Sequence, residues 1–388
     1  MTIILFDTPQ SRKALYPFTP TRPVCDIRHG ILTIREKWQL LTGLPVFSLT
    51  DSYLLQPIME DESYLYIDAT VIPTPAFIVA VQKLRIESLM EFEGNPVVIK
   101  SKQSFTYPII TDTGFKIIEL KDLGMIRFPW QLFQTNETAI KADFYLLTNN
   151  KTSEPIDPTN VVFGKENVFI ETGVTIRACI INADDGPVYI GKNALVMEGT
   201  TIRGPVSIGE NAVVKMGAKL YAGTSIGPKC TAGGEIKNSI LMGHSNKAHD
   251  GYLGDSVIGE WCNLGAGTTN SNIKNTAGIV KMWNNELENF AGVGIKAGLL
   301  MGDYSRTAIN TSFNTGTVVG TCCNIFTTGF PPKHIPSFTW GNDKYDLEKA
   351  IADIGRWKKF KGVELGVKEI EMIAYLYKPN GLKSVVIT

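Results

Sequence analysis

Along the second half of the chain the hydrophobic positions keep an unusual beat. Aliphatic residues fall at Ile190, Val196, Ile202, Ile208, Val214, Leu220 and Ile226, each six places after the last. Ile170 and Ile176 take the same step earlier, before an irregular "NADDGPVY", and Tyr252, Ile258 and Leu264 resume it later. An α-helix repeats near 3.6 residues and a strand at 2, so neither alone explains a step of six. A short strand plus a tight turn does, repeated around a triangular prism so that every third aliphatic residue stacks beneath the next. Glycines at 191, 199, 209, 217, 223 and 227 supply the corners with conformations other residues avoid. The beat predicts a hexapeptide-repeat parallel β-helix over residues 161–335.

Before it the pattern differs. "TIILF", "LPVFSLT", "YLYID" and "NPVVIKS" are short apolar runs bounded by turn formers, as buried strands are. "GILTIREKWQLLTG" and "TPAFIVAVQKLRIESLMEF" carry apolar residues at helical spacing, the second opening with Thr74 as cap and Pro75 in the first turn. Strand–helix alternation predicts an α/β domain with a parallel sheet over residues 1–148. "NNKTSEPIDPTN", residues 149–160, is polar, holds two prolines and reads as a linker. Residues 336–388 are expected to form a helical segment with two apolar stripes. Leu347, Ala350, Ile351, Ile354 and Trp357 make one; Val367, Ile370, Ile373, Ala374 and Tyr377 make the other. Such helices suit a cover for the end or flank of a solenoid, whose last coil exposes unpaired backbone.

Composition narrows the function. Of 388 residues, 38 are Lys or Arg and 38 Asp or Glu, a net charge of zero that steers neither nucleic acid nor an acidic membrane. The six cysteines contain no CxxC pair, no apolar stretch has the length of a membrane span, and the opening "MTIILFDTPQ" is too short an apolar run for a signal peptide. A reduced, soluble, cytoplasmic protein is expected.

Where the beat falters, polar residues gather. "GGEIKNSILMGHSNKAHDGYLGD" holds Glu235, Lys237, His249 and Tyr252, and "CNLGAGTTNSN" adds Asn263 and Asn272. A solenoid needs none of these to fold. Residues about one coil apart lie above one another, so Glu235 can meet His249, and Tyr252 can meet Asn272, across adjacent coils. His244, His29 and His334 lack such company and read as structural, and Cys262 has no partnering base.

The stretches "EIK" and "KAHDGYLGDSVIGEWCNLGAGTTNSN" resemble the acetyltransferase half of the bifunctional bacterial N-acetylglucosamine-1-phosphate uridylyltransferase / glucosamine-1-phosphate acetyltransferase family. That family shows E-x-K, H-x-x-Y-x-G-D, N-x-G-A-G-T and a further N. The resemblance implies a left-handed β-helix, a homotrimer, acetyl-CoA as acyl donor and an amino-sugar phosphate as acceptor. It implies His249 as catalytic base, Glu235 as the acid orienting it, Lys237 and Tyr252 as sugar-phosphate ligands, and Asn263 and Asn272 as residues positioning the amino sugar. The family's arginine one coil earlier is met only by Lys215, which lacks the guanidinium fork; its tyrosine after the last asparagine is replaced by Ile273.

The front domain carries half a resemblance to the same family's nucleotidyltransferase. "ILFDTPQSRKALYPFTPTRPVCDIRHGILTIREKW" has the strand but not the glycines of the phosphate loop. Arg22, Arg28 and Lys37 are candidate nucleotide ligands, and Asp68, at the end of "YLYID", is a candidate Mg2+ ligand if nucleotidyl transfer from a nucleoside triphosphate is retained. The expected activity is acetyl-CoA-dependent N-acetyl transfer to an amino-sugar phosphate, coupled or not to nucleotidyl transfer. The rivals are a nucleotidyltransferase whose β-helix serves only as trimer scaffold, and a non-catalytic trimeric sugar-nucleotide-binding protein.

Overall fold

The computed structural model describes residues 1–109 and 114–378. The end of the expected helical segment, beyond residue 378, lies outside these.

The N-terminal sheet runs Val46–Leu49, Thr2–Phe6, Tyr64–Asp68, Asn95–Ser101, Ser88–Phe92, Lys116–Glu119 from edge to edge. Thr2–Phe6 pairs parallel with both neighbours, as the strand–helix alternation predicts. The far half departs from the all-parallel expectation: Asn95–Ser101 is antiparallel to both Tyr64–Asp68 and Ser88–Phe92. The expected second helix stops at Gln82, and its continuation, Ser88–Phe92, is a strand. Leu89 and Met90 are both buried, so this strand is covered on both faces, and an apolar run of that kind looks the same in a helix or a sheet. Glu93 and Gly94, with φ of 52° and 75°, form the two-residue turn that folds it back; primed turns of this kind match the twist of a hairpin.

The solenoid follows the six-residue beat. All seven residues of the uninterrupted series point inward, at 0–2% exposure. One face stacks Val168–Ile170, Val188–Ile190, Val206–Ile208 and Thr224–Ile226 in parallel register. A second stacks Thr175–Ile176, Leu195–Val196, Val213–Val214, Thr231–Ala232 and Asn246–Lys247. The third stacks Val161–Phe163, Ile180–Asn182, Thr201–Arg203 and Lys219–Leu220. The segment expected as a linker is part of the solenoid. Glu154 donates its N–H to the Ile170 carbonyl and Ser153 Oγ accepts from Ile170 N, so the segment covers the first rung's open edge.

From Glu235 the geometry changes. Glu235–Gly243 and Tyr252–Glu260 run as unbroken strands around a corner, with Asn238 and Asp255 turning it at φ of 46° and 47°. This shift corrects the later series at Tyr252 alone: Leu253, at 1% exposure, fills the interior while Tyr252 is half-buried at the surface, and Ile258 and Leu264 point inward as expected. After Asn272 the coil is interrupted by an antiparallel hairpin, Val280–Asn284 with Asn289–Gly294, that the six-residue count does not anticipate. The coil then resumes at Leu299–Met301.

The two domains share one core. Leu15, Phe18, Val24 and Trp130 of the front domain pack in a single cluster with Ile240, Met242, Val257, Leu300 and Val318 of the solenoid and Val280 and Met282 of the hairpin. The tail forms helices Leu347–Phe360 and Val367–Tyr377, which lie along the solenoid's flank. Lys361 donates to the His244 carbonyl and to Asn246 Oδ1, and Tyr375 stacks on Tyr53 of the front domain with centroids 4.4 Å apart. The second stripe is rotated from its expected position: Met372, Ile373 and Leu376 are buried and Val367 is exposed.

Candidate active sites

Two places carry polar side chains that folding does not require. The first is the corner turned by Asn238 and Asp255. Lys219, Glu235 and Tyr252 align one above another in consecutive coils. Tyr252 Oη accepts from Asn272 Nδ2 at 3.1 Å, and the same amide donates to Asp255 Oδ2. Asn238 donates to the other Asp255 oxygen at 2.7 Å. Burial, with Asp255 and Glu235 adding to it, pushes the Tyr252 phenol up to about 12, which keeps it a neutral hydrogen-bond donor. Lys237 is exposed beside this cluster, its ammonium 6.0 Å from the Tyr221 ring centroid.

His249 stands exposed in the short loop between Asn246–Lys247 and Tyr252–Glu260. Its backbone rests on the coil below: a Cβ on Gly234 would lie 2.8 Å from the His249 carbonyl oxygen. The next residue, Glu235, donates its N–H to the Gly251 carbonyl at 3.2 Å. Thus the two residues come from adjoining coils. Among the described residues, no hydrogen bond or ion pair joins the Glu235 carboxylate to the His249 ring. Lys215 sits two coils below the start of the His249 loop, its neighbour Val214 aligned with Ala232 and Ala232 with Lys247.

Asn263 stands apart. It lies above Asn246 in a different column, and its Oδ1 accepts from Asn246 Nδ2 at 3.2 Å on the side covered by the tail. The other histidines are neutral packing groups. His244 stacks on Trp261 at 4.0 Å and His334 on Trp283 at 4.1 Å, and burial lowers both to about 4. Burial, helped by Lys37, lowers His29 to about 3.

The second place is a cleft of about 480 Å³ at the carboxyl ends of Thr2–Phe6 and Tyr64–Asp68. Asp7, Thr8, Asp68, Thr70, Asn95 and Arg127 line it, and Glu286 closes one wall from the solenoid's hairpin. Crevices at the carboxyl ends of parallel strands are where open α/β sheets bind ligands. Asp68 Oδ1 accepts from the N–H and Oγ1 of Thr70, at 2.8 and 2.6 Å, yet burial holds the carboxyl up at about 6. Asp7 is committed elsewhere, accepting from Arg12 at 2.8 Å, from Val24 N and from Thr50.

The basic residues expected to hold nucleotide do not line this cleft. Arg22 pairs with Asp303 and lies 3.4 Å from Glu260, both in the solenoid. Arg28 donates to the Met242 carbonyl at 3.0 Å, and Lys37 pairs with Asp143. All three are buried, and a buried cation must be matched at once by the nearest acceptors, here those of the domain interface and of helix Asn136–Thr148. Sequence reasoning counted basic residues near the motif but could not see that folding uses them. Arg12, another basic residue of the same stretch, is likewise taken up: its guanidinium ties Asp7, Asp51, Thr50 and two carbonyls together where the glycine-rich loop would run.

Among the described residues, no three His, Cys, Asp or Glu side chains converge as metal ligands. A cation that keeps most of its waters needs only one or two protein carboxylates, and Asp68 is the cleft's candidate for one.

An α/β domain of the sugar nucleotidyl transferase type fused to a hexapeptide-repeat solenoid is the class this architecture defines. Residues 3–152 match the family model for sugar nucleotidyl transferases, and residues 187–222 match that for the bacterial transferase hexapeptide. The chain is a distant homologue of the bifunctional proteins that join these domains. It is 31% identical over 218 residues to a bifunctional sugar-1-phosphate nucleotidylyltransferase/acetyltransferase of Sulfurisphaera tokodaii, covering 55% of this chain and 48% of that one. With the bifunctional protein GlmU of Methanocaldococcus jannaschii it shares 37% identity over 106 residues, 27% of this chain and 26% of that one. The matches thus span a quarter to about half of these relatives' length. A solved PerB from Caulobacter crescentus, in complex with CoA and GDP-perosamine, aligns over 88% of this chain and 93% of that one. At 9% identity and a TM-score of 0.17 that likeness carries no argument. Among the described residues, no helix is long and apolar enough to cross a membrane.

Proposed function

We propose that the solenoid is an acetyl-CoA-dependent N-acetyltransferase acting on an amino-sugar phosphate, with His249 as general base. The observation that carries this reading is the junction of Glu235, Tyr252 and Asn272 at one corner, with the exposed His249 in the loop that leads into it. An ammonium cannot attack a thioester. A neutral imidazole takes its proton as nitrogen bonds to the carbonyl carbon, and CoA leaves as the thiol. Glu235, one residue from the glycine that carries the His249 backbone, is the acid to favour the imidazolium once substrate draws the pair together. Catalytic hydrogen bonds are often unformed in an empty site. Tyr252, held by Asn272, donates to the sugar phosphate, Lys237 supplies a point charge, and Lys215 adds a second from below. In this reading Asn263 holds the tail through Asn246 rather than the sugar. A homotrimer that places acyl-CoA between neighbouring solenoids belongs to the same reading.

The cleft at Asp68 favours a second activity, nucleotidyl transfer onto the acetylated sugar phosphate, with Mg2+ bound together with the nucleoside triphosphate. Release of CoA thiol from acetyl-CoA in the presence of glucosamine-1-phosphate tests the first activity, and pyrophosphate release on adding a nucleoside triphosphate tests the second. No thiol release with any hexosamine phosphate would overturn the acetyltransferase reading.

A further inference from the structure

Inside the solenoid, directly above Ala232, one rung breaks the aliphatic column with a cation. Lys247 is 1% exposed, between the inward-facing Ala232 and Leu264. Taking an ammonium out of water is costly, and it persists only where acceptors replace the lost hydration. Here those acceptors are two carbonyls: Gly233 at 3.1 Å and, two residues along from Lys247, His249. We infer that Lys247 is a positioning residue for His249, fixing its backbone from within the solenoid by tying the His249 carbonyl to the coil beneath.

The loop is held from three sides. Below it, any Cβ on Gly233 would meet the Ala248 carbonyl at 2.4 Å, so the glycine pair lets the loop lie against the lower coil. Above it, Gly251, at φ 120°, passes so near the next coil that a Cβ would lie 2.1 Å from the Thr268 carbonyl. From inside, Lys247 supplies a charged tether, with Asp250 the nearby carboxylate that favours its protonated form. Burial works the other way, lowering the ammonium to about 8. An aliphatic residue would serve the interior better, as Val214 does two rungs below. What the lysine adds is a defined His249 backbone.

The inference rests on the acetyltransferase reading for its catalytic consequence but not for its structural one, and the test separates them. Lys247→Met keeps the volume, relieves the cost of a buried ammonium and removes its bonds to the two carbonyls, effects of opposite sign on stability. In the full-length protein, amide hydrogen exchange at Glu235 and Gly267, whose N–H groups donate to the loop carbonyls of Gly251 and Asp250, should accelerate by about tenfold or more while the remaining rungs and the thermal midpoint hold. With glucosamine-1-phosphate and acetyl-CoA, kcat should fall by roughly tenfold or more at unchanged KM, because a base displaced by a fraction of an ångström binds substrate but transfers protons poorly. Lys247→Arg, which retains the charge, should recover part of the exchange protection. Unchanged exchange at both Glu235 and Gly267 in Lys247→Met overturns the inference. Accelerated exchange in a protein whose wild type releases no thiol supports the tether and overturns the acetyltransferase reading alone.

Discussion

Arg22 in the front domain reaches Asp303 in the solenoid, 281 residues further along the chain, and both side chains are buried. Thr21 donates to the same carboxylate oxygen, while the other oxygen accepts the Glu260 N–H at 2.7 Å. The contact bolts the two domains together beside their shared core, so the cleft at Asp68 and the corner at Tyr252 belong to one body. The hairpin makes the same point: it leaves the solenoid just after Asn272 and brings Glu286 to the cleft wall.

Removing Arg22 leaves the Asp303 carboxylate buried without its cation. Arg22→Met should therefore cost about 3–5 kcal/mol of stability. Pairing it with Asp303→Asn, which also removes the charge, should recover a substantial part. Chemical denaturation of the two single variants and the double variant checks this; simple additivity would contradict the ion-pair account.

Asp68 should impose a pH dependence on the cleft. Its folded value near 6 exceeds the 3.8 of an ordinary aspartate, so the folded state holds the extra proton between those limits. Its contribution to stability therefore declines as pH rises through that window, while its capacity to bind a cation grows. Mg2+-dependent binding of a nucleoside triphosphate should strengthen as pH rises through about 6, and Asp68→Asn should weaken binding and flatten the profile. Titration calorimetry at pH 5 to 8 reads both.

His334 works with the opposite sign. Lodged against Trp283, it resists protonation down to about 4, whereas the unfolded chain takes the proton near 6.5. Stability from this group is present above 6.5 and is lost as pH falls toward 4. His334→Gln should show a shallower acid decline in thermal midpoint between these values than the wild type.

Much of the fold was legible because it is periodic. Seven aliphatic residues at a fixed step leave little room for another architecture, and Ile190 to Ile226 all point inward. Legibility ended where tertiary contacts override the period. Tyr252 keeps the step yet faces outward, because Asn238 and Asp255 turn the corner without a break in the strand. Leu89 and Met90, covered on both sides, could not be told from helix by spacing. For the sites, motif spacing drew attention to Glu235, Tyr252 and Asn272, which meet at one corner. It could not foresee that Arg22, Arg28 and Lys37 would be taken up by ion pairs and carbonyls. Lys247 had a signal in plain view, a lysine in register with Ala232, but only with the shortened coil known does that register emerge.

The most direct test is the initial rate of CoA thiol release from acetyl-CoA with glucosamine-1-phosphate, for wild type and His249→Ala. The account predicts a folded variant with the wild-type thermal midpoint and a kcat lower by on the order of 10² or more. Equal rates in the two proteins would remove His249 from the chemistry and leave the solenoid as a scaffold.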